Sequence, residues 1–363
     1  MTVAILCGFL PSVLLSPFAG VWADRYNRKI LIILSDSLIA LATLILAILF
    51  LLGYKSVWLL FLISAIRALG SGVQSPAVGA FLPQLVPEEK LTRMNATNSS
   101  IQSLVMLISP MLSGALLAMA SIEAIFFIDV VTAAIAVSVL LFALRVPAHA
   151  KAREKQAVSY FTDMREGFLY VKNHSFVKTL CWFNAFFCVL IAPAAFLTPL
   201  QVSRTFGNAV WRLSAVEIAY SFGMMVGSAL IASWGGLKNK VQMMALANMA
   251  ISLCTFALGV TPNFWFYLAF MWIIGVAVPV FNTPCTVLLQ QKVEGDFLGR
   301  VFGVLGMIAS MMPMGMLLFG PVADVIKIEW LLIGTGLLLL LHSLLMLGNK
   351  VLLDAGKPIP QGE

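Results

Sequence analysis

The sequence predicts an all-α membrane protein built from two pseudo-symmetric helical bundles. Three observations predict it. Of 363 residues, 61% are hydrophobic and 11% are charged, against about 25% charged in an average soluble domain. The apolar residues gather in eleven long runs, and a membrane-crossing helix needs about 20 such residues. The runs divide five and six around a polar stretch, and features of the first group return in the second some 207 residues later. This composition excludes a soluble enzyme, a secreted disulfide scaffold and a disordered chain. The runs are also too long for the alternating strands of a membrane barrel.

The eleven runs cover 3–22, 30–52, 57–81, 97–118, 123–144, 176–202, 213–234, 241–260, 264–290, 299–322 and 329–349. In lipid each must be a helix, because unpaired backbone groups are too costly there. Cations in short loops then orient the chain. Eighteen of the 23 lysines and arginines lie in or beside 22–29, 82–96, 145–178, 235–240, 291–298 and the C-terminal tail. Four lie on the other side (Lys55, Arg204, Arg212 and Lys327), and Arg67 falls inside a run. The first set is therefore cytoplasmic. The basic excess reads as topology, and nucleic acid is not an expected partner. Eleven spans with a cytoplasmic tail put Met1 outside, with no basic segment or signal peptide ahead of the first run. The expectation is that one helix is missing before it, twelve minus the first.

The expected organisation is a five-span bundle over 1–144, a cytoplasmic linker over 145–175, a six-span bundle over 176–350 and a tail over 351–363. The first part of the linker is charged. Its second part spaces Phe161, Met164, Phe168, Tyr170 and Val171 as a short amphipathic helix on the membrane face. The bundles are related by a repeat. Gly70-Ser71-Gly72-Val73-Gln74-Ser75-Pro76 followed by Pro87-Glu88-Glu89-Lys90-Leu91-Thr92-Arg93 corresponds to 275–284 followed by Glu294-Gly295-Asp296-Phe297-Leu298-Gly299-Arg300. Pro110 and Pro313 then occupy equivalent spans. Duplicated helical halves are a transporter architecture. The five cysteines all sit in apolar runs without a C-x-x-C pair, so they read as core residues.

The most specific motif is Gly20-Val21-Trp22-Ala23-Asp24-Arg25-Tyr26-Asn27-Arg28-Lys29. Gly20 permits close helix approach. Asp24 stands at the cytoplasmic interface, where a carboxylate can face the positive end of another helix or pair with Arg25 or Arg28. Lys29 completes the cationic turn. Here the chain resembles the major facilitator superfamily, whose loop between the second and third helices has this form. The resemblance extends along the whole chain. It implies the major facilitator fold, a conformational role for Gly20, Asp24, Arg25, Arg28 and Lys29, and a central cavity that the first helix normally lines. Arg67-Ala68-Leu69-Gly70-Ser71-Gly72 resembles the family's fourth-helix arginine motif. Ser109–Gly114 matches the fifth-helix antiporter motif only in part, without its glycine-rich run. The second copy of the loop, Gly235-Gly236-Leu237-Lys238-Asn239-Lys240, has no aspartate. Gly8–Pro11, Leu85–Leu91, Ile128–Val130, Glu217–Ala219 and Leu298–Phe302 resemble the macrolide-efflux branch.

Charges inside spans are costly and usually functional. Asp36 lies seven residues beyond Lys29, Arg67 near the middle of its run, and Asp129 and Glu217 toward the outer side. A partly desolvated carboxylate holds a proton near neutrality and attracts a cationic drug that competes with it. Asp36 and Glu217 lead this assignment, with Arg67 tuning one of them. A fixed ion pair or interhelical hydrogen bond is the structural alternative. Gln74, Gln102, Asn184 and Asn282 are polar groups in apolar surroundings, available to a substrate or to a neighbouring helix. Trp182, Phe183, Phe187 and Phe222 are candidates for an apolar drug pocket.

The sequence has no phosphate-binding G-x-x-x-x-G-K-[ST] loop, no H-E-x-x-H and no ligand spacing among His149, His174 and His342. Catalytic residues, metals and cofactors are therefore not expected. The resulting expectation is a multi-pass, monomeric exporter in a bacterial inner membrane. Its partners would be the lipid bilayer, protons and a small amphiphilic, macrolide-like drug moved by alternating access. Two other readings fit the same sequence. One is export of a siderophore, amphiphilic metabolite or lipid. The other is an inactive truncated fragment.

Overall fold

A computed structural model describes residues 2–119, 121–144, 159–207, 210–309 and 311–357. Among them there are helices and no strands. In chain order these are α1 (Thr2–Arg25), α2 (Arg28–Leu51), α3 (Val57–Leu85), α4 (Leu91–Met119), α5 (Ile122–Phe142) and α6 (Tyr160–Asn173). Then follow α7 (Ser175–Phe196), α8 (Thr198–Phe206), α9 (Val210–Trp234), α10 (Lys240–Val260), α11 (Phe264–Lys292), α12 (Leu298–Ala309), α13 (Met311–Val325), α14 (Ile328–Gly348) and α15 (Lys350–Ala355). Nine segments among the described residues are long and apolar enough to cross a membrane, counting α7 with α8 and α12 with α13 as one each. The two other runs, 3–22 and 97–118, lie within α1 and α4. The charged first part of the linker, 145–158, and the tail end, 358–363, lie outside the described residues.

Local chemistry sets the breaks. Asn27 stops α1 and caps α2, its side-chain oxygen accepting from the Lys29 N–H at 3.0 Å. Gly53 turns the chain between α2 and α3 at φ +90°. Gly235 and Gly236 end α9 at φ +77° and +82°, and Asn239 then caps α10 by accepting from Val241 and Gln242. The run 176–202 remains within one membrane-crossing segment, with a helix break at Leu197 where Thr198 and Pro199 start α8.

The described chain divides into two compact units, each drawn from separate stretches. The first comprises Met1–Val86, Met111–Asn173 and Val293–Met307; the second comprises Pro87–Pro110, His174–Lys292 and Ile308–Glu363. The two copies of the repeated segment, Pro87–Arg93 and Glu294–Arg300, thus fall in opposite units.

In the first unit, Ala23, Ile32, Ala77 and Phe81 form one core where α1, α2 and α3 meet. Ala42, Leu46, Phe50 and Ile63 form another, where Phe126 of α5 meets Phe50 edge-on. Glycine brings α1 and α12 to backbone contact: a Cβ on Gly20 would lie 2.6 Å from the Gly299 carbonyl oxygen and 2.9 Å from the Arg300 Cα. The second unit is packed along α10 and α14, through the fully buried Met244, Ile251, Leu258, Leu332 and Leu339. Gly223 and Gly227 let α9 lie directly on the Trp272–Val276 backbone of α11.

Candidate transport sites

The Gly20–Lys29 loop motif forms a densely connected polar site among the described residues. Asp24 is fully buried and accepts from the first free amides of α12, the N–H of Gly299 at 2.6 Å and that of Arg300 at 2.9 Å. A helix N-terminus offers unpaired donors and a partial positive charge, and a carboxylate suits both. Asp24 lies past the apolar run 3–22, and burial pushes its carboxyl up to about 7 while Arg28, Arg300 and the two amides pull it down. Arg28 donates to three carbonyls, those of Ala23, Ala80 and Gly295, and pairs with Asp24. Lys29 reaches the carbonyl of Leu144 at 2.7 Å.

Asp24 therefore does both things expected of it, facing a helix end and pairing with Arg28. Arg25 goes elsewhere. It donates to Asp163 of α6 and lies over the Tyr160 ring, its guanidinium carbon 4.3 Å from the centroid. Asp163 also pairs with Arg300 at 3.0 Å, and Arg300 reaches Glu166 at 3.3 Å. Asp163, Glu166 and Arg300 were not candidates from sequence. Asp163 and Glu166 had only the polar side of an amphipathic helix as a signal, and Arg300 only its place in the repeat and in Leu298–Phe302. In the second unit, the second copy of the loop and the helices beside it make polar contacts of their own. Lys240 donates to Thr92 at 3.0 Å, and Asn95 donates to Gln290 at 2.6 Å.

Two polar pairs lie in the spans of the first unit. Arg67 pairs with Asp129 and donates to Thr43 at 2.7 Å, with both charged side chains nearly half exposed. Arg67 also lines an open pocket of about 290 Å³ with Gly8, Phe9, Ser12, Ser64, Ala68 and Ser71. Asp36 accepts from Gln74 at 2.6 Å. Arg67 thus meets Asp129, where the sequence suggested Asp36 or Glu217. Glu217 is exposed on α9 and makes no hydrogen bond or ion pair among the described residues.

With this geometry in hand, comparison with known proteins decides the family. The model of the Major Facilitator Superfamily matches residues 1–315. This chain belongs to the Major Facilitator Superfamily. Macrolide efflux protein A of Streptococcus pyogenes is 29% identical over 355 residues, covering 97% of this chain and 87% of that protein. Macrolide efflux protein A of Enterococcus faecalis is 30% identical over 314 residues, covering 86% and 97%. The fold aligns with the crystal structure of the human organic anion transporter MFSD10 (TETRAN) at a TM-score of 0.81 and 14% identity, over 94% of this chain and 83% of that one. The chain is a multi-pass membrane transporter of the macrolide-efflux branch, and the family and its relatives are transporters and not enzymes.

The remaining candidates of this superfamily member occupy different environments. Trp182 is 60% exposed, and Phe222, Gln102 and Asn282 are exposed too. Asn184 is half-buried. Phe187 is buried and stacks on Phe281 with centroids 4.2 Å apart. Phe183 gives its carbonyl to the His342 Nε2–H at 3.0 Å, while Asn248 donates to His342 Nδ1 at 2.8 Å. That polar pin ties α7, α10 and α14. Among the described residues no group of acidic, histidine or cysteine side chains is arranged to hold a metal.

Proposed function

We propose that this transporter exports macrolide-like amphiphilic drugs across the bacterial inner membrane, by proton-coupled alternating access. The observation that carries the reading is the match to macrolide efflux protein A along 97% of this chain. Asp36, the Arg67–Asp129 pair and Glu217 are the proton-handling groups. Each is a charge placed where the bilayer makes charge costly, so each has a reason to be there beyond packing. The Gly20–Lys29 loop, fixed on the α12 N-terminus, is the conformational element. Gln74, Gln102, Asn184 and Asn282, with Trp182, Phe183, Phe187 and Phe222, supply the substrate surface. The working unit is a monomer, in two helical halves joined by the linker.

The test is accumulation of a labelled macrolide in cells that express the chain, with and without a protonophore. Low accumulation that rises when the gradient collapses supports the proposal. Accumulation equal to that of empty cells, with the protein present in the membrane, overturns it for this substrate class.

A further inference from the structure

We infer that the outer face of α6 is a docking surface for anionic lipid headgroups of the cytoplasmic leaflet. At about 100° per residue, Asp163 and Gly167 lie on one side of this helix and Phe161, Arg165, Phe168 and Lys172 on the opposite side. The first side is committed to protein. Asp163 and Gly167 are buried, and a Cβ on Gly167 would lie 2.9 Å from the Arg300 side chain. Tyr170, one turn on, stacks on Phe297 with centroids 4.4 Å apart. The second side is uncovered. Phe161, Arg165, Phe168, Leu169 and Lys172 are all exposed, with Phe161 at 68%.

The level of the helix supports a lipid occupant. The Phe161 ring packs edge-on against Phe18 at 6.2 Å between centroids. Phe18 lies four residues inside the end of the apolar run 3–22, roughly 6 Å along the helix at 1.5 Å per residue. Phe161 is therefore at the depth where acyl chains give way to headgroups. Aromatic rings interleaved with cations are what that depth selects. The two cations select the lipid. Each Lys or Arg near an anionic surface strengthens binding about fivefold, and neither Arg165 nor Lys172 has a carboxylate partner among the described residues. The same helix thus faces the leaflet on one side and carries the Arg25–Asp163–Arg300 bridge on the other.

The experiment places a tryptophan reporter with Phe168→Trp in the full chain. The protein is reconstituted in vesicles containing phosphatidylglycerol or phosphatidylcholine brominated near the headgroup end of the acyl chain. Wild-type fluorescence is subtracted. The expected result is quenching by both lipids, several-fold more efficient with the brominated phosphatidylglycerol. That preference disappears in Arg165→Gln/Lys172→Gln, whose exposed side chains are not needed for folding. Quenching by aqueous iodide but by neither lipid would place the face in the cytoplasm and overturn the inference. Equal quenching by the two lipids would overturn the anionic selection. A preference that survives the double substitution would overturn the role of these two cations.

Discussion

Arg300 meets Asp24 twice, once through its backbone N–H at 2.9 Å and once through its guanidinium at 3.6 Å. The first contact anchors the start of α12 and the second neutralises the anchor. Because Arg300 also reaches Asp163 and Glu166, a single side chain links the loop motif, α12 and the linker helix.

Replacing Asp24 by asparagine keeps its size and removes its charge and its titration. Asparagine cannot accept from both α12 amides and pair with Arg28 and Arg300 as the carboxylate does, so macrolide export should fall severalfold. The sign of the pH effect follows from the raised carboxyl. An acid whose folded pKa exceeds its unfolded value stabilises the fold only while protonated. That contribution is complete below 3.8 and is lost as pH climbs to about 7. Thermal unfolding of the purified protein should therefore show wild type losing stability across this window, with Asp24→Asn losing less. Parallel pH profiles would show that Asp24 does not titrate there.

Gly20→Ala should be among the most damaging single substitutions in the chain, because its new methyl would meet backbone at 2.6 and 2.9 Å, and backbone cannot swing aside. Gly8→Ala is the matched control in the same helix, since a Cβ there has nothing within 4 Å. Detergent-extracted protein carrying Gly20→Ala should give little or no monodisperse material, while Gly8→Ala should behave as wild type. Equal yields would mean that α1 and α12 can separate at no cost.

The Arg67–Asp129 pair predicts non-additivity. Arg67→Gln or Asp129→Asn alone leaves an uncompensated charge in a span. The double substitution removes both. Unfolding midpoints of the two singles and the double should reveal a coupling of about 0.5–3 kcal/mol, the double being better folded than the sum of the singles implies. Additive effects would mean that the pair does not interact in the membrane.

Asp36 and Glu217 are separable by the same type of change. Asp36→Asn still accepts from Gln74, so its hydrogen bond survives and only the titratable proton is lost. Glu217 has no hydrogen-bond or ion-pair partner to lose among the described residues. Export measured against external pH should flatten for the carboxylate that carries the proton and keep its shape for the other. A normal pH profile in both variants would remove both from the coupling pathway.

The helical framework was legible because bilayer thickness sets run length and lipid forbids loose backbone. The loop motif was legible because Gly20 and Asp24, four residues apart, share one helix face. Their partners were not, since Gly299 and Arg300 lie more than 270 residues away and no local pattern records such a distance. Asp163 and Glu166 were hidden for a different reason: a carboxylate on a short polar helix has the same sequence appearance whether water or arginine faces it. Phe187 shows the limit for apolar residues. Its stack on Phe281 and the open ring of Trp182 have one composition and two environments.

The Gly20–Gly299 contact also dictates an order of assembly. Ribosomal synthesis delivers α1 long before α12, so Asp24 must wait for some 275 further residues before the amides it accepts from exist. Until then its carboxylate has only water, headgroups and neighbouring arginines. Synthesis of α12 therefore closes over a turn made much earlier, and a nascent intermediate stalled before Leu298 would expose at the membrane surface an aspartate that the folded protein buries.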